Sequence, residues 1–226
     1  MSSQHPVVHV VDDDALVRVG LERLLRLAGF KVAVFAGAEE FLRNLDAERC
    51  GCVILDLALP DMNGLEVQQA LTARGSVMPV IFLTGHGDVP ASVRAMKQGA
   101  ADFLRKPVSK TELLDAVRPA LARAAVRDRE RREVAAIRAR HATLTQRERA
   151  VMSQVLTGKR NKQIAADLGI LECTIKAHRA QVMGKMRART LADLINLALR
   201  AGIGPLPASA AATSPGAAAS PSAAHE

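Results

Sequence analysis

The sequence predicts a doubly wound α/β domain built on a parallel sheet, followed by a smaller all-α domain. Three observations carry this reading. From residue 7 to about 118, short β-branched runs alternate with helical periodicity; from Thr143 every break is a helix break; and charge is divided unevenly between the two halves. Val7 to Val11 reads as a strand, and Leu16, Val19, Leu24, Leu25 and Leu27 recur at helical spacing before Gly29, a helix stop. Lys31 to Phe35 is the next strand, Ala38 to Leu45 a helix, Cys52 to Leu55 a strand and Gly64 to Thr72 a helix. Val80 to Leu83, a helix from about Val89 to Gln98, the strand Asp102 to Leu104 and a helix opening near Ser109 complete the alternation. Strands that alternate with helices favour a parallel sheet covered on both faces. Five of each fit a flavodoxin-like domain.

Ser109 and Glu112 offer a capping box for the fifth helix, whose pattern continues through Leu113, Leu114, Val117 and Leu121, with a kink expected at Pro119. Residues 121–142 are rich in Ala, Arg and Glu and read as a solvated linker helix with Val126, Val134 and Ile137 as its chief apolar anchors. In residues 143–203, Thr145 and Glu148 cap a helix that ends near Gly158. Asn161 to Leu168 is a second helix, stopped by Gly169; Glu172 to Met186 is a third; and Thr190 caps a fourth. Residues 204–226 are Ala, Ser and Pro with a single acid and no periodicity, the composition of a disordered tail.

Residues 1–120 carry 13 basic and 15 acidic groups, residues 121–142 carry 7 and 3, and residues 143–203 carry 11 and 4. An acidic front half joined to a basic back half suits one part that holds a cation and another that meets a polyanion. The first residues show no basic segment followed by an apolar one, and no apolar stretch reaches the ~18 residues of a spanning helix, so a cytoplasmic protein without membrane contact is expected. Cys50, Cys52 and Cys173 lack a paired C-x-x-C spacing, which argues against a metal or redox role.

The front half gathers its chemistry at strand ends. Asp12, Asp13 and Asp14 follow the first strand, Asp56 ends the third, Thr84 ends the fourth, and Lys106-Pro107 follows the fifth. In an open parallel sheet these ends converge on one crevice. Asp12, Asp13 and Asp56, with the backbone carbonyl of Ala58, would hold a hard cation such as Mg2+. Lys106 can pair with Asp56 or with a phosphoryl oxygen, and the Thr84 hydroxyl can donate to another. Singly these residues are ordinary loop acids, caps and turns; jointly they describe an aspartyl-phosphate site.

Val11-Asp12-Asp13-Asp14, Asp56-Leu57-Ala58-Leu59-Pro60-Asp61-Met62-Asn63-Gly64, Thr84-Gly85-His86-Gly87-Asp88-Val89-Pro90 and Gly99 through Pro107 resemble the receiver domain of bacterial two-component response regulators, over residues 5–120. That resemblance implies that Asp56 is the phosphoacceptor, Asp13 the direct Mg2+ ligand and Asp12 an outer ligand acting through water. It further implies that Thr84 and Phe103 are a switch pair and that the Lys106–Pro107 bond is cis. Val108 departs from the pattern, since an aromatic residue commonly follows Lys-Pro there.

In the back half, Asn161 to Gly169 followed by Thr174 to Arg179 has helix-turn-helix spacing. Ile175, Val182 and Met186 share a core face and leave Lys176, Ala177, Ala180 and Gln181 to enter a major groove. Lys159, Arg160, Lys162, Arg179, Lys185, Arg187 and Arg189 form a basic rim for phosphates. From Leu144 to Ile203 the chain resembles the LuxR-type helix-turn-helix, and as a whole it is similar to FixJ-type transcriptional regulators. The resemblance assigns Lys176 and Ala177 to base edges and Thr174, His178 and Arg179 to the DNA backbone. Leu171 stands where a small capping residue is usual.

The function this implies is transcriptional regulation rather than enzymatic catalysis. A histidine kinase would phosphorylate Asp56, and the resulting homodimer would bind double-stranded DNA and act on RNA polymerase, activating transcription. Two other readings stay open: a constitutive DNA binder whose receiver is an interaction module, and an RNA-binding output domain. The lack of Trp, Tyr and Phe for base stacking in the back half disfavours the second.

Overall fold

The computed structural model describes residues 6–45, 50–85 and 89–205. It divides into two compact units, one up to Arg131 and one from Arg132. That division lies inside the segment assigned to the linker from sequence.

In the first unit, β1 (Val7–Val11), β2 (Lys31–Phe35), β3 (Gly51–Asp56), β4 (Val80–Thr84) and β5 (Asp102–Arg105) form one parallel sheet in the order β2-β1-β3-β4-β5. Because side chains alternate along a strand, the sheet serves two cores. Val11, Val53, Leu55, Val80 and Phe82 pack with residues of α2 (Ala38–Asn44), α3 (Gly64–Ala73) and α4 (Val89–Lys97). Val8, Val10, Cys52, Ile54, Ile81 and Leu83 pack with α1 (Ala15–Leu27) and the first half of α5 (Lys110–Ala142). The central strands β1, β3 and β4 are buried along their whole length, which is why they read as continuous apolar runs.

Two features go beyond what the sequence pattern settles. The apolar positions of α1 do not all face the sheet: Leu21 and Leu25 are buried, while Leu16, Val19 and Leu27 are exposed. The fifth helix and the linker helix are one element, α5, which runs through Pro119. Leu113, Val117, Ala120, Leu121 and Ala124 stay buried on both sides of that proline. Packing against the sheet therefore outweighs the hydrogen bond the proline removes. Of the expected linker anchors Ile137 is buried and Val126 is exposed.

In the second unit α6 (Gln146–Leu156), α7 (Asn161–Leu168), α8 (Glu172–Met186) and α9 (Leu191–Ala201) close around Val151, Met152, Ile164, Ile175, Val182, Met186 and Leu194, joined by Ile137 of α5. Thr145–Glu148 and Thr190–Asp193 form reciprocal capping boxes. Of the expected tail, 204–226, only Gly204 and Pro205 are among the described residues. Among the described residues no helix is long and apolar enough to cross a membrane.

Candidate phosphoacceptor site and nucleic-acid interface

The acidic run after β1 divides its labour among three residues. Asp12 is buried, Asp13 is exposed, and Asp14 caps α1, its Oδ1 accepting from the amides of Leu16 and Val17. Asp12 Oδ1 accepts from the Asp14 amide at 3.0 Å, and its carbonyl accepts from Arg18 Nη1 at 2.6 Å. Neither Asp14 as a cap nor Arg18 as a brace was recognised from sequence. An acid directly before a helical run is the signal that could have found the first.

Asp56 is buried at the end of β3, with Oδ1 accepting from the Ala58 amide at 3.2 Å. One carboxylate oxygen from each of Asp12, Asp13 and Asp56 lies within 4.8 Å of the others. Lys106 Nζ bridges two of these acids, at 2.6 Å from Asp12 Oδ2 and 2.6 Å from Asp56 Oδ2. Burial pushes the Asp12 carboxyl above its ordinary pKa, the Asp56 charge adds to this, and the contacts with Lys106 and the Asp14 amide oppose it. Burial alone would lower the Lys106 pKa, but its hydrogen bonds and charge contacts with Asp12 and Asp56 leave it raised. One ammonium facing three carboxylates leaves the cluster short of positive charge. An all-oxygen donor set with that deficit fits a hard divalent cation.

Thr84 is buried at the end of β4, and its carbonyl accepts from the Lys106 amide at 2.7 Å. Phe103 is half-buried on β5, in register with Phe82 and with ring centroids 6.3 Å apart. The Lys106–Pro107 bond is cis. Beside Phe103 the surface of α4 and β5 exposes Val93 and Met96 among Arg94, Lys97 and Arg105. Of the run from Thr84 to Pro90 that carries the resemblance, His86, Gly87 and Asp88 lie outside the described residues.

In the second unit, α7 ends at Gly169, whose φ of 63° is a left-handed cap that a glycine adopts without steric cost, and α8 follows after two residues. Ile175, Val182 and Met186 are buried; Lys162, Lys176, Ala177, Ala180 and Gln181 are exposed; Thr174, His178 and Arg179 are half-buried. Leu171 is the N-cap of α8, offers no side-chain cap bond and is 72% exposed.

Part of the basic rim has structural partners. Lys185 Nζ donates to Glu148 Oε2 at 2.6 Å, Lys159 Nζ to Asp167 Oδ2 at 2.7 Å, and Arg179 Nη1 to Asn161 Oδ1 at 2.9 Å. The Lys185 contact, with bonds from Thr145, holds the Glu148 carboxyl below the usual range. Arg140 Nη1 donates to the Met186 carbonyl at 2.9 Å and Arg147 Nη2 to that of Leu168 at 3.2 Å. Apart from Lys159–Asp167, these contacts join residues 18 to 46 positions apart, so no local pattern announces them.

The model of the response regulator receiver domain matches residues 8–118, and that of the bacterial regulatory proteins of the luxR family matches residues 142–198. Nodulation protein W of Bradyrhizobium diazoefficiens is 47% identical over 206 residues, covering 89% of each chain. Transcriptional regulatory protein FixJ of Azorhizobium caulinodans is 45% identical over 199 residues, covering 88% of this chain and 94% of that one. Among solved structures, the response regulator StyR superposes with a TM-score of 0.77 at 44% identity, covering 87% of this chain and 99% of that one. Full-length FixJ from B. japonicum gives 0.52 at 40% identity, covering 88% and 98%. A receiver domain implies a histidine kinase partner, and a luxR-family helix-turn-helix implies DNA binding. The chain belongs to the FixJ-type two-component response regulators, transcription factors rather than enzymes, with a receiver domain and a LuxR-type helix-turn-helix domain.

Proposed function

We propose that Asp56 accepts a phosphoryl group from a histidine kinase in the cytoplasm and that the acyl phosphate drives pairing of two chains on DNA. The reading rests above all on Asp56, buried at a strand end, with Lys106 Nζ 2.6 Å from its Oδ2 and two further carboxylates beside it. In the transfer, an Asp56 oxygen forms the O–P bond as the N–P bond of the phosphohistidine breaks and the imidazole nitrogen keeps the electron pair. Mg2+ held by Asp12, Asp13, Asp56 and the Ala58 carbonyl would neutralise the phosphoryl oxygens. Lys106 exchanges its contact with Asp56 for one with a phosphoryl oxygen, and the Thr84 hydroxyl donates to another. Phe103 then fills the space behind Thr84, remodelling the α4–β5 surface so that its exposed Val93 and Met96 suit a reversible homodimer interface.

In this reading the receiver occupies 5–120, the linker 121–142, the DNA-binding domain 143–203 and the tail 204–226. Lys176, Ala177, Ala180 and Gln181 face base edges in the major groove, while Lys162, Thr174, His178 and Arg179 meet the DNA backbone. A dimer spans two half-sites about one helical turn apart and recruits RNA polymerase, activating transcription. The experiment is incubation with acetyl phosphate and Mg2+. Wild type should gain an acid-labile phosphate and sediment as a dimer, whereas Asp56→Asn should gain neither. Equal labelling of Asp56→Asn would overturn the assignment, and a phosphorylated protein that stays monomeric while binding DNA more tightly would overturn the dimer step.

A further inference from the structure

Residues 143–203 carry four acids, and three have structural partners within hydrogen-bonding distance. Glu148 Oε2 accepts from Lys185 and from the Thr145 amide, Asp167 Oδ2 from Lys159, and Asp193 Oδ2 from the amides of Arg189 and Thr190. Glu172 differs. Its ion-pair partner, Lys176 Nζ, lies at 3.7 Å from Oε1, beyond hydrogen-bond length, and the Glu172 and Lys176 side chains are 47% and 67% exposed. The acid therefore stands with open acceptor oxygens on the first turn of α8, one turn from Lys176.

We propose that Glu172 is a specificity-determining residue that accepts a hydrogen bond from the amino group of a cytosine, with Lys176 on the guanine of the same base pair. The proposal rests on the reading that α8 enters the major groove. There a carboxylate is repelled by every phosphate, so a favourable partner must be a base donor. Cytosine offers N4 hydrogens at the groove edge without an adjacent acceptor, whereas adenine sets its N7 acceptor beside its donor. Guanine O6 and N7, across the pair, suit an ammonium group. A loose ion pair can be parted to make both contacts, and Lys176 keeps the carboxylate neutralised until it does. A purely structural role also has a physical basis, since an acid in the first turn complements the helix dipole and an i,i+4 pair supports a helix. Such a role would move stability and leave base preference untouched.

The two roles separate in a selection of duplexes from a random-sequence pool by the full chain under phosphorylating conditions, followed by sequencing of the bound fraction. Wild type should prefer C·G at one position of each half-site by about tenfold. Glu172→Gln should exchange that preference for A·T, because an amide pairs with adenine N6 and N7. Removing the charge should also tighten binding to random duplex about two- to threefold. Glu172→Asp, which keeps the charge and shortens the reach, should lose the cytosine preference without gaining adenine, and it serves if Glu172→Gln folds poorly. Wild-type preferences at every position in both variants would overturn the proposal, provided Lys176→Ala alters one of them. If Lys176→Ala alters none, the α8 reading itself fails and this proposal with it.

Discussion

Replacing Gly64 with alanine tests whether the backbone behind Asp56 is as closely packed as the structure requires. A Cβ at residue 64 would lie 2.6 Å from the Asp56 carbonyl oxygen, 3.0 Å from Leu57 Cα and 3.1 Å from Phe82 Cε1. Ordinary contact begins near 3.4 Å, so the Asp56 backbone and the start of α3 must separate by about 0.8 Å. Overpacking of this kind costs about 1 to 3 kcal/mol, and contact with backbone rather than a movable side chain places this case in the upper half of that range. Helix propensity offsets at most about 1 kcal/mol, less at the first helical position. The expected net effect is a destabilisation of about 2 kcal/mol. Gly20 in α1 is the control: it is exposed and its Cβ would meet nothing within 4 Å, so Gly20→Ala should stabilise by up to about 1 kcal/mol. The chain has no Trp or Tyr, so calorimetry is the assay, with hydrogen exchange of β3 amides assigning the receiver transition. Displacing the Asp56 carbonyl should also slow labelling by acetyl phosphate. A Gly64→Ala receiver at least as stable as wild type and labelled at the same rate would refute the packing argument.

Leu171→Ser should stabilise the output domain by about 1 kcal/mol in thermal unfolding, because α8 begins without a side-chain cap and Leu171 is exposed. Lys185→Met should lower stability at neutral pH but not in acid. Glu148 has a folded pKa depressed by Lys185 and Thr145, so its contribution is present above the ordinary carboxylate range and lost as pH falls through the depressed value. Urea titrations from pH 7 to pH 3 should show the wild-type and variant curves converging, and a constant gap would contradict the assignment. Lys162→Ala should weaken binding to specific and random duplexes alike and reduce the salt slope by about 1. A loss confined to the specific duplex in a salt titration would move Lys162 to base reading.

The strand ends that bear Asp12, Asp56 and Thr84 are legible because each closes an apolar run buried on both faces, whereas Lys106 follows the half-buried edge strand β5 and is marked only by Phe103 and Leu104 before it. The helix-turn-helix is legible because Gly169 and the spacing of Ile175, Val182 and Met186 are local signals. What sequence does not disclose depends on which distant groups fold together. The seven cations of the expected rim look alike in the chain, yet Lys185 and Lys159 are drawn to Glu148 and Asp167. Leu16 and Val19 are as apolar as Leu21 and Leu25 but lie on the opposite side of α1 in helical phase and face outward, so an apolar residue in a helical segment is a core candidate only when its phase agrees with the others.

One helix, α5, contributes Leu113 through Leu121 to the sheet's core and Ile137 to the core of the output domain. Its last turns also fasten that domain, Arg138 Nε donating to the Ala201 carbonyl at 3.0 Å and Arg140 Nη1 to that of Met186. The heritable module is therefore longer than the stretch from Thr143 that its helix-turn-helix pattern suggests. A gene fusion grafting this output domain onto another sensor would have to carry the chain from Arg132, because a junction at Thr143 strips out a core side chain and two carbonyl anchors. Recombination between such regulators is constrained accordingly, since a crossover at the boundary between the two units, near Arg131, falls within one helix, and the helical register travels with whichever half is moved.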